Sequence, residues 1–309
     1  MRVFVTGASG WIGSALTPEL IANGHHVLGL ARSASSATAL TSAGAEVIRG
    51  SLDDLDTLHA AASAADGVIH LAFKHDLAFT GDFRSAVDAD RRVVDTIGRA
   101  LAGSGKPFVV TGGTPAVAGR VASEEDGLGT DSDAAAEENT PSDRAAVDRL
   151  AVGLARQGVR SSVVRLPRTN HGEGDSGFIA NLIAVARRTG VSGHVGDGSS
   201  RWPATHRLDT ARAFRLALEK APAGSVLHAV AEEGIATRDI AEAIGRHLGL
   251  PVTSREPEHF GFLGMILAVD QPASGIRTRE ILGWEPTHAT LLDDIDAGHY
   301  FRQPTAQEL

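Results

Sequence analysis

Cysteine is absent from the 309-residue sequence, and tyrosine and lysine are scarce, with one tyrosine and three lysines in the whole chain. Without cysteine the protein has no disulfide bond, no thiolate nucleophile and no cysteine-ligated zinc or iron–sulfur cluster. The single tyrosine, Tyr300, stands close to the C-terminal end. Any chemistry that needs a tyrosine earlier in the chain is therefore excluded.

The sequence also lacks a run of about 18 apolar residues, a basic cluster and a close grouping of metal ligands. It enters a strand pattern at its N-terminus without a signal peptide, so we expect a cytoplasmic protein with no membrane partner. A net charge of −9, from 29 basic and 38 acidic residues, gives no general attraction to nucleic acid. Neither HExxH nor a comparable motif occurs, so no metal site is predicted.

Short apolar strands alternate with helices in the first half of the chain. The predicted strands cover residues 2–6, 26–30, 45–48, 67–71, 107–111 and 161–166, and the predicted helices cover about 11–23, 83–103 and 142–157. Strands that alternate with crossover helices form a parallel sheet covered on both faces. The pattern predicts an α/β fold, a doubly wound Rossmann-type parallel sheet.

After residue 170 the pattern becomes mostly helical, with short strands at best. The predicted helices lie near 176–189, 208–220, 237–249, 257–268 and 276–283. We expect residues 1–170 to form the Rossmann domain, with later segments interspersed, and 171–309 to form a smaller capping region over the substrate that does not fold independently. Residues 123–139 hold seven acids and no base, which predicts a solvated loop, with a functional lid as the alternative.

A glycine-rich turn, Thr6-Gly7-Ala8-Ser9-Gly10-Trp11-Ile12-Gly13, follows the first strand and opens the first helix. In this context Gly7 permits the tight turn, Gly10 the approach of a pyrophosphate, and Gly13 the packing of helix on sheet. The amides at the start of the helix favour a negative charge. We therefore predict a dinucleotide site that also includes Ser9, Trp11 and Ile12.

The end of the second strand distinguishes the two nicotinamide cofactors, because an acid there binds the ribose 2′-hydroxyl and a base accommodates a 2′-phosphate. Here it reads Leu30-Ala31-Arg32-Ser33. Arg32 offers a planar guanidinium and Ser33 a hydroxyl donor. The sequence favours NADP(H), with NAD(H) as the alternative.

With these motifs the chain resembles the short-chain dehydrogenase/reductase superfamily, in its extended or atypical form related to the NAD-dependent epimerase/dehydratase group. Further matches are Gly50-Ser51-Leu52, His70-Leu71-Ala72 and Val163-Val164-Arg165-Leu166-Pro167. The resemblance implies that Ser51 and Leu52 flank adenine, that Leu71, Ala72 and Phe73 lie along the ribose and pyrophosphate, and that Pro167 lies near nicotinamide. Ser51 departs from the family, which usually has aspartate there.

The family's catalytic set is a serine or threonine hydroxyl followed by a tyrosine and a lysine in a YxxxK unit. Alignment through Gly119 places Thr114 at the hydroxyl position. The following helix has Thr140 in place of the tyrosine and Arg144 in place of the lysine. Arg144 retains the ability to bind ribose hydroxyls, but it is a poor proton donor because its pKa exceeds about 12.

Histidines are the natural replacement for the missing acid, because their ordinary pKa of about 6.5 suits proton transfer. His75 and His171 are the candidate proton donors, since each follows a strand at the ligand-binding edge of the predicted sheet. Lys74, Phe178, Trp202 and His206 are the candidate substrate contacts, with core packing as the alternative for the two aromatic residues.

Three functions fit these residues. The first is an oxidoreductase that uses NADP(H) to reduce a small carbonyl, imine or activated alkene. The second is a non-catalytic NADP(H) sensor or scaffold, motivated by the loss of the tyrosine and lysine. The third is an epimerase or dehydratase of nucleotide-sugar type. The expected partner is a small-molecule substrate, and the resemblance is compatible with a homodimer.

Overall fold

The computed structural model describes residues 1–128 and 143–302. Its centre is a seven-stranded sheet in the order β10-β6-β5-β4-β1-β2-β3, in which every neighbouring pair is parallel. The strands are β1 (Arg2–Thr6), β2 (His26–Ala31), β3 (Glu46–Arg49), β4 (Gly67–His70), β5 (Pro107–Gly113), β6 (Arg160–Leu166) and β10 (Ser225–His228). This order confirms the predicted doubly wound sheet, whose direction of winding reverses between β1 and β4.

The central strands form where the sequence is continuously apolar, because both faces of the sheet are covered. Phe4 and Val5 of β1, and Val68 and Ile69 of β4, are completely buried. Their side chains alternate between the two faces, so Val5 and Ile69 belong to one core and Phe4 and Val68 to the other.

Helices cover both faces. The bounds in the first half are α1 (Gly13–Ala22), α2 (Ala34–Ser42), α3 (Leu55–Ala64), α4 (His75–Phe79), α5 (Phe83–Leu101) and α6 (Asp143–Gly153), which continues as a 3₁₀-helix (Leu154–Gln157). Helix α1 lies beside α8 (Arg207–Lys220) on one face, and α3, α5 and α6 pack on the other. Because α8 and β10 come late in the chain yet complete this unit, later segments are interspersed in it.

The rest of the C-terminal half is helical, as predicted, with two small sheets. One sheet contains β7 (Thr169–His171), β9 (Arg201–His206) and β11 (Glu232–Ala236); the other contains β8 (Ser192–His194) and β12 (Val252–Ser254). The helices are α7 (Phe178–Thr189), α9 (Thr237–Leu248), α10 (Phe262–Leu267), α11 (Ile276–Leu282) and α12 (Leu291–Asp296), with 3₁₀-helices at Pro257–Phe260 and His299–Phe301. The division of the chain at residue 170 stays a prediction.

One helix boundary differs from the sequence prediction. The segment 257–268 is two short helices rather than one, because Gly261 has a φ of +58° and breaks the helix between them. Within residues 1–128 and 143–302, no helix combines the length and the apolar character needed to cross a membrane.

Candidate active site

The C-terminal ends of β1, β4, β5 and β6 open into a cleft of about 1030 Å³. The cleft is lined by every residue predicted to bind the cofactor except Ser33: Gly7, Ser9, Gly10, Trp11, Ile12, Gly13, Arg32, Ser51, Leu52, Leu71, Ala72, Phe73, Arg144 and Pro167. Thr114, His75, Lys74 and Phe178 line the same cleft. The fold thus brings together residues that are as much as 171 positions apart in the sequence.

The glycine-rich turn fits closely against the loop after β4. Gly7 has a φ of +70°, and a Cβ atom there would lie 2.7 Å from the amide nitrogen of Ala72. A Cβ on Gly13 would lie 2.1 Å from the carbonyl oxygen of Gly7. The amide of Gly13, the first residue of α1, has no backbone partner among the described residues, whereas the next three amides donate to carbonyl oxygens of the turn. The turn therefore leaves a cradle lined by backbone, of the kind that holds a dinucleotide pyrophosphate.

Trp11 connects this turn to the capping region. Its Nε1 donates a hydrogen bond of 2.8 Å to the carbonyl oxygen of Asn170, and the guanidinium of Arg207 lies 4.2 Å from the centre of its ring. Asn170 lies in β7 and Arg207 begins α8, so these two contacts fix both elements relative to the start of α1.

The end of the cleft next to β2 contains an exposed cation. Arg32 makes no ion pair or hydrogen bond with any residue of 1–128 or 143–302, so its guanidinium is available to a ligand. Ser33, in contrast, caps α2 by accepting a 3.1 Å hydrogen bond from the amide of Ser36. Ser36 lines the cleft in its place. Arg49 donates to the carbonyl oxygen of Ser33 and adds a second cation at this edge.

Lys74, predicted to contact substrate, is held by an acid of the cleft. Its ammonium lies 2.7 Å from Asp53 Oδ1 and 2.8 Å from Oδ2. The Ser51 hydroxyl in turn accepts a 3.2 Å hydrogen bond from the Asp53 amide. The charge of Lys74 is therefore balanced by an acid that lines the same cleft.

Arg144, which the sequence predicts to stand in place of the family lysine, is fixed from three directions. It donates to Asp90 Oδ2 at 3.3 Å and to the carbonyl oxygen of Thr111 at 3.0 Å, and it stacks 4.2 Å above the ring of Phe73. Asp90 is buried and also contacts His70 Nε2 at 2.8 Å. These contacts hold the guanidinium at the wall of the cleft, where it can reach hydroxyl groups of a bound ribose.

Thr114 lines the cleft directly after the C-terminal end of β5. Its side chain is buried, and Oγ1 has no hydrogen-bond partner among the residues that the structure describes. The Thr114 carbonyl oxygen accepts a hydrogen bond from Gln271, whose side-chain oxygen accepts one from Arg168. A buried hydroxyl left without a partner is costly unless a ligand completes its hydrogen bond.

His75 begins α4 at the mouth of the cleft. Its ring lies 5.2 Å from that of Phe73 in an edge-to-face arrangement. Partial burial, followed by the positive charge of Arg144, lowers the pKa of His75 below the ordinary 6.5. The imidazole is therefore mostly neutral at pH 7 and gains its proton as the solution becomes acidic.

The family model for the NAD dependent epimerase/dehydratase family matches residues 3–229, most of the chain. The chain belongs to the NAD-dependent epimerase/dehydratase family. The family match agrees with the predicted resemblance. The cleft therefore belongs to a fold that binds nicotinamide dinucleotides.

Two relatives and one solved structure illustrate this family. An uncharacterised protein of Schizosaccharomyces pombe is 45% identical over 305 residues, covering 97% of this chain and 100% of that protein. The 2-alkyl-3-oxoalkanoate reductase of Stenotrophomonas maltophilia is 31% identical over 228 residues, covering 73% of this chain and 67% of the reductase. The structure of MoeE5 in complex with UDP-glucose and NAD is 23% identical with a TM-score of 0.74, covering 97% of both chains. The last comparison shows the shared fold.

Two of the predicted histidines lie away from the cleft of this epimerase/dehydratase family member. His171 is completely buried, and its Nδ1 lies 2.9 Å from Asp294 Oδ2. His206 caps α8, and its ring stacks on that of His288 with centroids 4.8 Å apart. Burial, together with the neighbouring His171 and His288, lowers the pKa of His206 to about 4. Their position under the cap leaves His75 as the histidine that faces the cleft.

Trp202 also lies away from the cleft. It is completely buried in the core of the capping region, with its ring 5.9 Å from that of Phe178. Of these two aromatic residues, Phe178 alone lines the cleft. Thr140 lies outside the described residues, as does most of the acidic segment 123–139.

Sequence reasoning missed several polar residues that line the cleft, among them Arg168, Asn170, Asp175 and Gln271. Asp175 accepts hydrogen bonds of 2.8 Å from the Tyr300 hydroxyl and 2.7 Å from the Gly177 amide, while burial raises the pKa of its carboxyl. The only tyrosine thus lies behind a carboxyl of the cleft. Arg168 and Asn170 follow β6 at the ligand-binding edge, so their position was a usable signal. Gln271 had none.

Proposed function

We propose that the protein is an NADP(H)-dependent oxidoreductase that reduces a small carbonyl compound. The observation that carries the proposal is that Thr114, His75 and Arg144 line one cleft with the dinucleotide turn. Hydrogen-bond, proton-transfer and ribose-binding groups therefore surround the position where a nicotinamide and its substrate must meet.

NADP(H) is the favoured cofactor because cations cluster at the adenosine end. Arg32 lines the cleft with its guanidinium free of described partners, Ser36 adds a hydroxyl, and Arg49 lies beside Ser33. A planar guanidinium binds a phosphate through two parallel hydrogen bonds, whereas a ribose 2′-hydroxyl is usually met by an acid. Arg32 stands where such an acid would.

A dinucleotide bound in the cleft would supply the hydride. Residues of this chain bind the substrate oxygen, position the ribose and donate the proton. The Thr114 hydroxyl binds the oxygen of the carbonyl, and Arg144, held by Asp90, positions the ribose. His75 gives a proton to the oxygen as the alcohol forms, which is the role of the missing tyrosine. Since His171 lies outside the cleft, His75 is preferred to it.

Three reducible groups are candidates for the substrate: a carbonyl, an imine and an activated alkene. The name of one relative favours the carbonyl. The Stenotrophomonas relative is a 2-alkyl-3-oxoalkanoate reductase and shares 31% identity. Family membership keeps an epimerase or dehydratase of nucleotide-sugar type as the alternative. Co-purification of tightly held NAD(H) is the result that would favour that alternative.

The test is oxidation of NADPH, followed at 340 nm, with a panel of aldehydes, ketones and imines. Thr114→Val removes the hydroxyl at nearly constant volume, and we expect it to lower kcat/KM about 100-fold, since it removes a hydrogen bond to the reacting oxygen. Thr114→Ser keeps the hydroxyl and serves as the matched control. Binding of NADPH without oxidation by any compound would instead favour a sensor or scaffold.

A further inference from the structure

Arg168 lies at the inner end of the cleft, directly after the residue predicted to face nicotinamide. Its Nη2 donates to the side-chain oxygen of Gln271, whose amide nitrogen donates to the carbonyl oxygen of Thr114. Its Nε is buried without a hydrogen-bond partner in the part of the chain that the structure describes. The guanidinium is therefore linked through Gln271 to the backbone of Thr114, and its Nε donor is unused among the described residues.

Among the described residues, Arg168 also has no counter-ion. Lys74 pairs with Asp53 at 2.7 Å and Arg144 with Asp90 at 3.3 Å, but no carboxylate within residues 1–128 and 143–302 pairs with Arg168. Burial lowers the pKa of Arg168 to about 10, which still leaves it positive at neutral pH. A partly buried charge without a counter-ion is unfavourable, and a ligand anion relieves that cost.

We infer that Arg168 binds an anionic group of the substrate, a carboxylate that lies close to the carbonyl being reduced. The inference rests on the proposed reductase function and narrows its substrate to oxo acids. A planar guanidinium matches a carboxylate through two parallel hydrogen bonds. A single unpaired positive charge balances one carboxylate, whereas a phosphoryl group carries up to two negative charges.

The hydrogen bonds from Arg168 to Gln271 and from Gln271 to the Thr114 carbonyl oxygen connect the guanidinium to the residue whose hydroxyl is proposed to bind the carbonyl. A substrate whose oxygen is bound by the Thr114 hydroxyl has its carboxylate within reach of the guanidinium. Gln271 keeps the guanidinium from turning away, because its side chain is itself fixed on the backbone of Thr114. Arg168 is therefore a specificity-determining residue rather than a proton donor.

The experiment compares three oxo acids with their methyl esters, with NADPH as reductant. Pyruvate, acetoacetate and levulinate separate the carbonyl from the carboxylate by different lengths, and each ester keeps the shape without the charge. We expect wild type to prefer at least one acid over its ester by about tenfold in kcat/KM, mainly through KM. In Arg168→Gln the ratio of kcat/KM for the acid to that for the ester should fall close to one. The ratio in Arg168→Lys should lie between those of wild type and Arg168→Gln.

The acid-to-ester ratio separates recognition from a general loss of activity. Arg156→Gln changes an exposed arginine outside the cleft and should keep the wild-type ratio. A wild type that reduces each ester as well as its acid, or an Arg168→Gln variant with an unchanged ratio, would overturn the inference while the reductase function stands.

A calorimetric titration distinguishes failure of the inference from failure of the reductase function. If neither these compounds nor any member of the wider carbonyl panel is reduced, the proposed function fails, and the NADP⁺-loaded protein is titrated with levulinate. Binding by wild type that is lost in Arg168→Gln would support the anion site by itself. Equal binding by the two proteins, or none by either, would overturn it.

Discussion

The guanidinium of Arg144 lies 4.2 Å above the ring of Phe73, and the same group donates a hydrogen bond to the buried carboxylate of Asp90. Asp90 in turn contacts His70, whose Nδ1 lies 2.6 Å from the Thr6 hydroxyl. Arg144 thus ends a buried polar network between β1, β4 and α5. That network fixes the wall of the cleft.

Removing this arginine should damage both binding and stability. In Arg144→Ala, Asp90 loses its cation while it stays buried, so we expect the free energy of unfolding to fall by about 1–3 kcal/mol and the Kd for NADPH to rise. Arg144→Lys keeps the charge and should lie between this variant and wild type. Denaturant unfolding and NADPH titration measure the two effects. Unchanged NADPH affinity in Arg144→Ala would refute the proposed ribose contact.

Arg32 should decide the preference between the two nicotinamide cofactors. Because its guanidinium is free of described partners, Arg32→Ala removes a ligand contact without breaking a contact of the protein. We expect kcat/KM for NADPH to fall about 10–100-fold and the value for NADH to stay within about twofold. Arg156→Ala is the control for loss of an exposed arginine. A preference for NADPH that survives in Arg32→Ala would contradict the assignment.

Gly13 should tolerate no side chain. A Cβ atom at this position would lie 2.1 Å from the Gly7 carbonyl oxygen and 2.6 Å from the backbone of Ala8, so the turn must open to accept Gly13→Ala. We expect a loss of about 1–3 kcal/mol in stability together with loss of NADPH binding. Gly153→Ala is the matched control, since a Cβ there meets no heavy atom within 4 Å. Thermal unfolding and NADPH titration of both variants measure the difference.

The sheet and the dinucleotide turn could be predicted because their signals are local. Each central strand is a short apolar run, and Gly7, Gly10 and Gly13 stand three residues apart from the end of β1 to the start of α1. The placement of Arg32 follows from the same register, since the end of β2 lies beside β1 in a doubly wound sheet. These conclusions needed no knowledge of contacts between distant segments.

The inner end of the cleft could be predicted only in part, because residues from distant segments meet there. Gln271 is 157 positions from Thr114, and no periodicity in the sequence indicates that contact. His75 and His171 carried equal sequence signals, yet β7 buries His171 against Asp294. Which of these two histidines lines the cleft depends on how the capping region packs. The three-residue strand β7 is too short to be recognised by alternation.

His75 should give the reduction a characteristic pH dependence. If its imidazolium donates the proton, kcat/KM falls as the pH rises above the pKa of His75, which lies below the ordinary 6.5. We expect a decline of about tenfold per pH unit above that pKa in wild type, and a lower, flatter profile in His75→Gln. His59→Gln, a change of an exposed histidine on α3, should keep the wild-type profile. The same decline in His75→Gln would assign the proton to another group.

His228 should make the fold sensitive to acid. The side chain is completely buried in β10, its Nδ1 lies 2.9 Å from the Ser274 carbonyl oxygen, and burial followed by the charge of Arg165 lowers its pKa to about 4. The unfolded chain, with a histidine pKa of about 6.5, binds more protons between these values, so stability is present above pH 6.5 and is lost as the pH falls towards 4.

From pH 6.5 to 5 this linkage amounts to about 1.5 kcal/mol of unfolding free energy. His228→Gln removes the titrating group, so its stability should change less over the same range. His26→Gln, which changes an exposed histidine at the start of β2, should follow wild type. Urea unfolding at both pH values measures the slopes. Equal slopes for His228→Gln and wild type would mean that His228 titrates alike in the folded and unfolded chains, because a neutral buried imidazole must leave a difference between them.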